Sequence, residues 1–280
     1  MKLGKTMKNQ FLRPSFTQNI YEHYIVKGNS LNIFGAKGVG KSRFIEDLKL
    51  LSDDETHFVV LNMRELRTDY KKFIERLEKK LGIDDGFDTV EEVLAKFERK
   101  KGKKVLVIKH FEYLFENNRN DKFNFDFFEQ LNSFKNSEDV SLLIVSTNNY
   151  RHEAFYKGGE LTTSPLDVAV EPITSLMQKE IEGELKRRID KEFGFQLLAM
   201  MIIGKKYPYD LINFIVKEIK FGNYDSSDFL ENNFDRWDKK FSRSNDVSKY
   251  LWIWTHIKKI NPTNFMNILK EIVLWLKKKD

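Results

Sequence analysis

The chain has 280 residues, no cysteine and a formal net charge of +6. The absence of cysteine excludes disulfides and thiolate metal sites, and no uncharged apolar stretch reaches the roughly 18 residues that a membrane span requires. The length allows a sizeable core, either in one large domain with an appendage or in two domains. Because Lys2, Lys5 and Lys8 are not followed by an apolar run, we expect no secretory signal and a cytoplasmic location.

The positive charge permits an anionic partner, but it is spread along the chain and interleaved with acids. A well-solvated surface explains it equally well. The first ten residues are polar, and the segment 11–16 is predicted to be extended because it contains Pro14. A helix through Asn19, Ile20, His23 and Tyr24 is expected to follow it.

Residues 35–42 form the complete phosphate-binding pattern G-x-x-x-x-G-K-[ST] (Walker A). The context agrees, since the apolar run 30–34 precedes it and a helical apolar pattern follows it. Glycines let backbone N–H groups surround phosphate oxygens, Lys41 can reach the β- and γ-phosphates, and the Ser42 hydroxyl is suited to bind Mg²⁺. The residues predicted to hold the nucleotide are Gly35, Lys37, Gly38, Val39, Gly40, Lys41, Ser42 and Arg43.

Apolar strands alternate with helices after the loop. With the apolar run 30–34 as the first strand, the next three predicted strands are residues 57–63, 104–108 and 141–148, and a fifth is predicted at 167–170. The predicted helices are residues 69–81, a second that a capping box at 88–91 begins, and 125–134. Such a pattern is typical of an α/β fold with a parallel sheet covered on both faces, which binds ligands at the carboxyl ends of its strands. Gly35, Lys109 and Asn148 follow or end such strands, and the 11–24 segment is expected to pack beside the site.

Two further stretches are distinctive. The basic run 99–104 could contact nucleic-acid phosphates, but no aromatic or base-reading residue is interleaved, so weak non-specific binding is the most that we expect. After a linker at 223–227, apolar residues recur at helical spacing. They are Leu230, Phe234, Trp237 and Phe241, then residues 250–257 and 265–276 on either side of Asn261-Pro262. A small helical bundle is predicted there.

The phosphate loop, the strand leading into "NMRELRTDYKKFIERLEKKLGI", the strand "KKVLVIKHFEYLF", the strand "SLLIVSTNN" and the exit "SPLDVAVEPITSLMQKEI" together resemble an AAA+ or STAND-type P-loop ATPase. The nearest types are origin-recognition-like ATPases, archaeal-type STAND ATPases and TniB-like transposition ATPases. The likeness covers about residues 11 to 222. It implies a P-loop core at 1–173, a helical lid at 174–222 and a C-terminal helical region at 223–280.

The resemblance also implies roles for individual residues. Asn148 corresponds to sensor 1, a polar group that orients the attacking water or contacts the γ-phosphate; otherwise it only caps its strand. Residues 181–203 and 209–219 correspond to the lid. Tyr209 stands where many relatives carry the sensor 2 arginine, and Lys205 or Lys206 could compensate for its absence.

The third strand departs from the family pattern. Relatives carry an Asp-Glu pair (Walker B) after it: the first carboxylate holds the Mg²⁺ shell and the second polarises the attacking water. This chain has Lys109 and His110 there. Glu112 lies two residues past the usual position of the base, so it could serve as a catalytic base only if the backbone bends back; otherwise it is a surface acid.

We therefore expect an ATP-binding protein, with Mg²⁺ as its metal, that acts as a conformational switch with slow or absent hydrolysis. The alternatives are an active DNA-linked ATPase in transposition, replication or mobile-element defence, and a scaffold with permanently bound nucleotide. The resemblance favours adenine, and no guanine-reading N-K-x-D pattern occurs. We expect a protein partner or self-association, with DNA a weaker candidate. Arginines that could act on a neighbouring subunit are Arg151, Arg187 and Arg188.

Overall fold

The computed structural model describes residues 10–116, 119–149, 154–157, 160–163, 165–190, 194–221 and 233–242. The chain divides into two compact units, residues 1–213 and 214–280. The two units are described separately below. The predicted division into a core, a lid and a C-terminal region stays a prediction.

The first unit contains a five-stranded parallel sheet in the order β2-β3-β4-β1-β7, which confirms the predicted α/β fold. The strands β5 and β6 pair as a separate antiparallel hairpin. The bounds are β1 Leu31–Phe34, β2 Thr56–Asn62, β3 Lys103–Lys109, β4 Val140–Ser146, β5 Ala154–Lys157, β6 Glu160–Thr163 and β7 Ala169–Pro172.

Helices connect the strands, and the last three fall in the segment predicted to be the lid, which is called the lid below. They are α1 Pro14–Ile20, α2 Lys41–Leu51, α3 Met63–Leu66, α4 Tyr70–Leu81, α5 Val90–Glu98, α6 Phe125–Lys135, α7 Gln178–Arg188, α8 Phe195–Ile202 and α9 Pro208–Phe221, whose last residues belong to the second unit. A π-helical turn, Tyr21–Ile25, continues α1, and a 3₁₀ turn, Phe111–Phe115, follows β3.

Alternation along the strands separates two apolar cores on the two faces of the sheet. On one face, Val105 and Val107 of β3 pack with Phe44 and Leu48 of α2. On the other face, Leu106 and Ile108 of β3 pack against α4, α5 and α6. Residues next to each other in a strand therefore point to opposite sides, and this decides which residues at the strand ends can reach the phosphate loop.

Helix ends follow ordinary capping chemistry. Asp69 caps α4 by accepting the Lys72 N–H at 3.0 Å. The capping box of α5 joins Thr89 to Glu92, one residue later than the acid that we expected.

Several sequence-based bounds need correction. Pro14 begins a helix rather than holding an extended segment, because proline fits the first turn of a helix, which needs no N–H from it. The strand β7 lies two residues later than expected, and the β5–β6 hairpin was not anticipated. The predicted helical segment 181–203 contains two helices, α7 and α8.

In the second unit, Phe234, Trp237 and Phe241 are buried along the helix at 233–242, as their spacing predicted. Lys240 forms an ion pair with Glu218 at 2.8 Å within this unit. Leu230 and the helices predicted at 250–257 and 265–276 lie outside the described residues. Among the helices that the structure describes, none is long and apolar enough to cross a membrane.

Candidate functional site

The phosphate loop connects β1 to α2. Its backbone turns through left-handed conformations at Gly38 (φ 77°) and Gly40 (φ 93°), which favour glycine. The Gly35 N–H donates to the Ser146 carbonyl at 3.3 Å and so ties the loop to β4. The Nζ of Lys41 donates to the carbonyls of Gly35 and Ala36, at 2.5 and 2.9 Å. The ammonium group therefore lies against the loop that a phosphate would occupy.

The lid contacts this loop directly. The Tyr209 N–H donates to the Gly38 carbonyl at 2.7 Å. A Cβ added to Gly38 would lie 2.7 Å from the Cα of Tyr207, and one added to Gly40 would lie 2.7 Å from a methyl group of Leu12. The loop glycines thus serve a second purpose that the motif did not indicate, since they let the lid and the N-terminal segment approach closely.

Arg13 joins three parts of the site, although the sequence did not single it out. Its side chain is 5% exposed, and its Nη2 donates to the Val39 and Thr174 carbonyls at 3.2 and 2.8 Å. Its Nη1 lies 3.9 Å from a carboxylate oxygen of Glu180 in α7. A single arginine before a proline gives no sequence signal, because its partners lie up to 161 residues away.

Charged side chains of the lid surround the start of α2. Glu184 is buried and accepts from Arg187, and its other oxygen lies 3.5 Å from Arg188 and 3.4 Å from the Tyr209 hydroxyl. Arg188 also donates to the Asn213 side chain at 2.5 Å. These two arginines are thus engaged within their own chain, and Arg151 lies outside the described residues.

Tyr209, at the predicted sensor 2 position, is followed by Asp210, a lid carboxylate that senses the charges of two loop lysines. Burial raises the pKa of Asp210, and the charges of Lys37 and Lys41 act in the opposite direction. Lys37 and Lys206 lie over the Tyr207 ring, with their Nζ atoms 5.3 and 5.4 Å from its centroid. Compensation by Lys205 or Lys206 at a phosphate stays a prediction.

A cavity of about 800 Å³ adjoins the loop, within the range of small-molecule sites. It begins at Ser42 and extends between α2 and the lid. Its lining is mainly charged and polar: Gln10, Ser42, Arg43, Glu46, Leu50, Glu184, Arg187, Arg188, Tyr209 and Asn213. The cavity therefore offers a nucleotide both space and hydrogen-bond partners beside the loop.

At the end of β3, Lys109 lies on the α2 side of the sheet, because it continues the alternation of Val105 and Val107. Burial lowers the pKa of Lys109, whereas the nearby carboxylates of Glu46 and Glu65 raise it. Lys109 is therefore near Glu46 of α2, which lies one helical turn after Ser42.

Beyond Lys109 the backbone bends back. His110 adopts a left-handed conformation (φ 58°), and the 3₁₀ turn follows it. Glu112 is 16% exposed, and its Oε1 lies 3.6 Å from the Nδ1 of His110, while its Oε2 is buried with no hydrogen-bond partner. Burial alone would raise the pKa of Glu112, but His110 and the charge of Lys41 outweigh it and lower that pKa. The carboxylate is therefore ionised and influenced by the loop lysine.

Asn148 lies beyond the end of β4 and is exposed. Its backbone carbonyl lies 2.5 Å from the Ser146 hydroxyl. The structure gives no contact between its side chain and the loop, and its role as sensor 1 stays a prediction.

The donor set fits Mg²⁺ poorly. Magnesium prefers carboxylate and water oxygens, and the only predicted protein ligand is the Ser42 hydroxyl. At the position where the sequence resemblance predicts a carboxylate, this chain has Lys109, whose ammonium cannot ligate a cation. Over the described part of the chain, no group of three or more His, Cys, Asp or Glu residues could hold a metal ion.

Comparisons with known proteins agree with this geometry. Residues 26–153 match the family model described as AAA domain. A search of curated proteins gave no significant match. A Walker-type ATPase of Pyrococcus abyssi superposes with a TM-score of 0.54 at 14% identity, over 89% of this chain and 76% of the other.

Two other archaeal proteins of known structure also superpose. The ORC1 protein of Aeropyrum pernix, solved in complex with DNA, gives a TM-score of 0.51 at 13% identity over 84% of this chain. Cdc6p of Pyrobaculum aerophilum gives 0.50 at 14% identity over 76%. The chain spans 66% and 60% of their lengths, less than two thirds of either. At such identities the likeness concerns the fold. It shows the P-loop NTPase fold of AAA type, and the family match covers residues 26–153, less than half of the chain.

Proposed function

We propose that the chain binds ATP between the phosphate loop and the lid, and that the bound nucleotide sets the position of the lid. The observation that carries this proposal is the hydrogen bond from the Tyr209 N–H to the Gly38 carbonyl, 2.7 Å long. A phosphate that accepts hydrogen bonds from the loop N–H groups and from Lys41 must alter the bonds that Lys41 now donates to the loop carbonyls. Because the lid is bonded to the same loop, it responds to this change.

Hydrolysis is proposed to be slow. Lys109 replaces the carboxylate that relatives use, and the base position that follows is occupied by His110. Glu112 is the residue suited to polarise a water, since it is ionised and has one oxygen free of hydrogen bonds. It approaches through a bend rather than directly from the strand, so we infer a weak base and a long-lived ATP state. ATP exchange and slow hydrolysis would then switch the lid.

The test compares Lys41→Ala with Lys49→Ala, an exposed lysine on the same helix. Calorimetric titration should show that Lys41→Ala abolishes ATP binding, because a charge-assisted phosphate contact is lost. Hydrogen exchange at the Tyr209 amide should change with ATP in the native protein and in Lys49→Ala, and not in Lys41→Ala. Equal ATP affinity of the two variants would refute the nucleotide site.

The subtype is also a proposal. The likeness to origin-recognition ATPases rests on the superpositions, while an archaeal-type STAND or a TniB-like identity rests on sequence patterns alone. The structure of the Aeropyrum protein in complex with DNA favours DNA as a second candidate partner. The basic run adds little to it, since Lys104 is buried and Lys100 and Lys103 donate to the Leu81 and Val26 carbonyls. A scaffold role predicts that purified protein carries nucleotide that does not exchange.

A further inference from the structure

We propose that the Lys109 ammonium supplies the positive charge that a divalent ion would supply beside the phosphates, so that this chain binds a nucleoside triphosphate without a metal. The inference deepens the proposed function and rests on it. It starts from a juxtaposition in the fold: a lysine at the carboxyl end of β3, on the side of the sheet where α2 begins the phosphate site.

The sheet register determines the level of Lys109 along the strands relative to the start of the phosphate loop. Lys109 pairs with Val145 of β4, and Val145 pairs with Ile33 of β1. Ile33 lies two residues before Gly35, so Lys109 is level with the strand end from which the phosphate loop rises. Val145 and Ile33 belong to the apolar core on the α2 face, and the alternation of β3 directs Lys109 to this same face. The register and the alternation thus place Lys109 on the face of the sheet that carries α2, level with the strand end that leads into the loop.

Burial lowers the pKa of Lys109, and two neighbouring carboxylates act against this shift. Glu46, one turn after Ser42 on α2, and Glu65 of α3 both favour the ammonium, whereas Arg64 opposes it. None of these acids replaces the missing carboxylate at the end of β3. An ammonium group in this place repels a divalent cation, because like charges at close range in a half-buried site are poorly screened.

The same group can do the work of the cation. An ammonium carries three donors and no acceptor, so it can satisfy phosphate oxygens but cannot serve as a ligand. Lys41 already approaches from the loop side, and Lys109 would approach from the sheet side. Two lysines would therefore offset part of the negative charge of the triphosphate without a metal. Hydrogen bonds between charged groups change affinity by about 10- to 150-fold, and this is the share that we assign to Lys109.

The experiment is calorimetric titration of the full chain with ATP, once in excess EDTA and once in MgCl₂. We expect the two dissociation constants to agree within about threefold, that is, within less than 1 kcal/mol. Lys109→Ala should weaken binding in EDTA by about 10-fold or more, and Lys109→Arg should retain it. Lys103→Ala is the matched control, since this lysine lies on the same strand and face at the opposite end. It should bind as the native protein does.

A carboxylate at this position provides the reciprocal test. Lys109→Asp should make ATP binding depend on Mg²⁺ by about 10-fold or more. The inference is wrong if native binding is lost in EDTA and restored by Mg²⁺, especially if Glu46→Gln removes that metal effect. Absence of ATP binding in both buffers would instead refute the nucleotide site and this inference with it. The comparison of native protein in the two buffers needs no variant, so a poorly folding variant does not obscure the result.

Discussion

Replacing Gly38 by alanine tests whether the lid rests on the phosphate loop. A matched control exists in the same unit, because Gly204 has a nearly identical backbone angle (φ 79° against 77°) but nothing within 4 Å of its added Cβ. Both variants place an alanine in the left-handed region, which costs about 1–2 kcal/mol. Only Gly38→Ala adds a collision, with the Cα and Cβ of Tyr207 both 2.7 Å from the new methyl group.

The extra cost of Gly38→Ala follows from what must move. The methyl group contacts backbone, so the Tyr207 segment has to shift, and the hydrogen bond from the Tyr209 N–H to the Gly38 carbonyl is strained or lost. A typical net value for one such bond is about 0.5–1.5 kcal/mol, so Gly38→Ala should destabilise the protein by about 1 kcal/mol more than Gly204→Ala. This difference corresponds to a melting temperature lower by about 2–4 °C.

The assay is thermal denaturation followed by circular dichroism, with ATP titration of both variants. Gly38→Ala should melt below Gly204→Ala and bind ATP more weakly, since its loop and lid no longer fit together. Gly204→Ala should lose stability but keep the affinity of the native protein. Equal melting temperatures with equal affinities would show that the loop and the lid do not touch, and the reasoning behind the switch would be wrong.

Four other predictions concern catalysis, pH, DNA and assembly. Because Glu112 is inferred to be a weak base, Glu112→Gln should slow the already slow single-turnover hydrolysis by at most about 10², the lower end of the usual effect of a general base, and Glu116→Gln is an exposed control. Native turnover of about one per second, abolished by Glu112→Gln, would refute the slow switch. Burial raises the pKa of Asp47 from 3.8 to about 6, so its contribution to stability is complete below pH 3.8 and is lost as the pH rises through about 6. Asp47→Asn keeps an acceptor for the Leu12 N–H, and urea denaturation should show that it removes this loss; an unchanged pH profile would contradict it. DNA binding should be weak and fall steeply between roughly 50 and 200 mM salt, and tight sequence-selective binding at physiological salt would favour the DNA-linked alternative. Light scattering with a non-hydrolysable ATP analogue tests assembly; an unchanged monomer mass would exclude Arg187 and Arg188 from a partner's site.

Local chemistry was readable from the sequence alone. The glycine pattern at residues 35–42 needs only its immediate neighbours, so its position between a strand and a helix was correctly predicted. The buried strands were recognisable because parallel strands covered on both faces are nearly continuous apolar runs. Helix α4 shows the same, since Phe73, Ile74 and Leu77 recur at the helical period and are all buried.

Strand and helix ends were less predictable, because capping and pairing partners decide them. Asn148 appeared to end a strand, yet β4 stops at Ser146, where its partner β1 also stops pairing. The order of the strands in the sheet likewise depends on contacts between distant segments rather than on any single run of residues.

Only the tertiary structure decided how the site is arranged. From the sequence alone, Glu112 could be either a base or a surface acid. The left-handed backbone at His110 brings that carboxylate under the influence of Lys41, and a histidine gives no reliable signal for this conformation. The bond between Tyr209 and Gly38 joins residues that are far apart in the chain, and no local pattern encodes such a contact. The identities of the site residues could therefore be predicted from the sequence, whereas their spatial arrangement depended on long-range packing. Only the folded sheet brings the strand ends, the loop and the lid together.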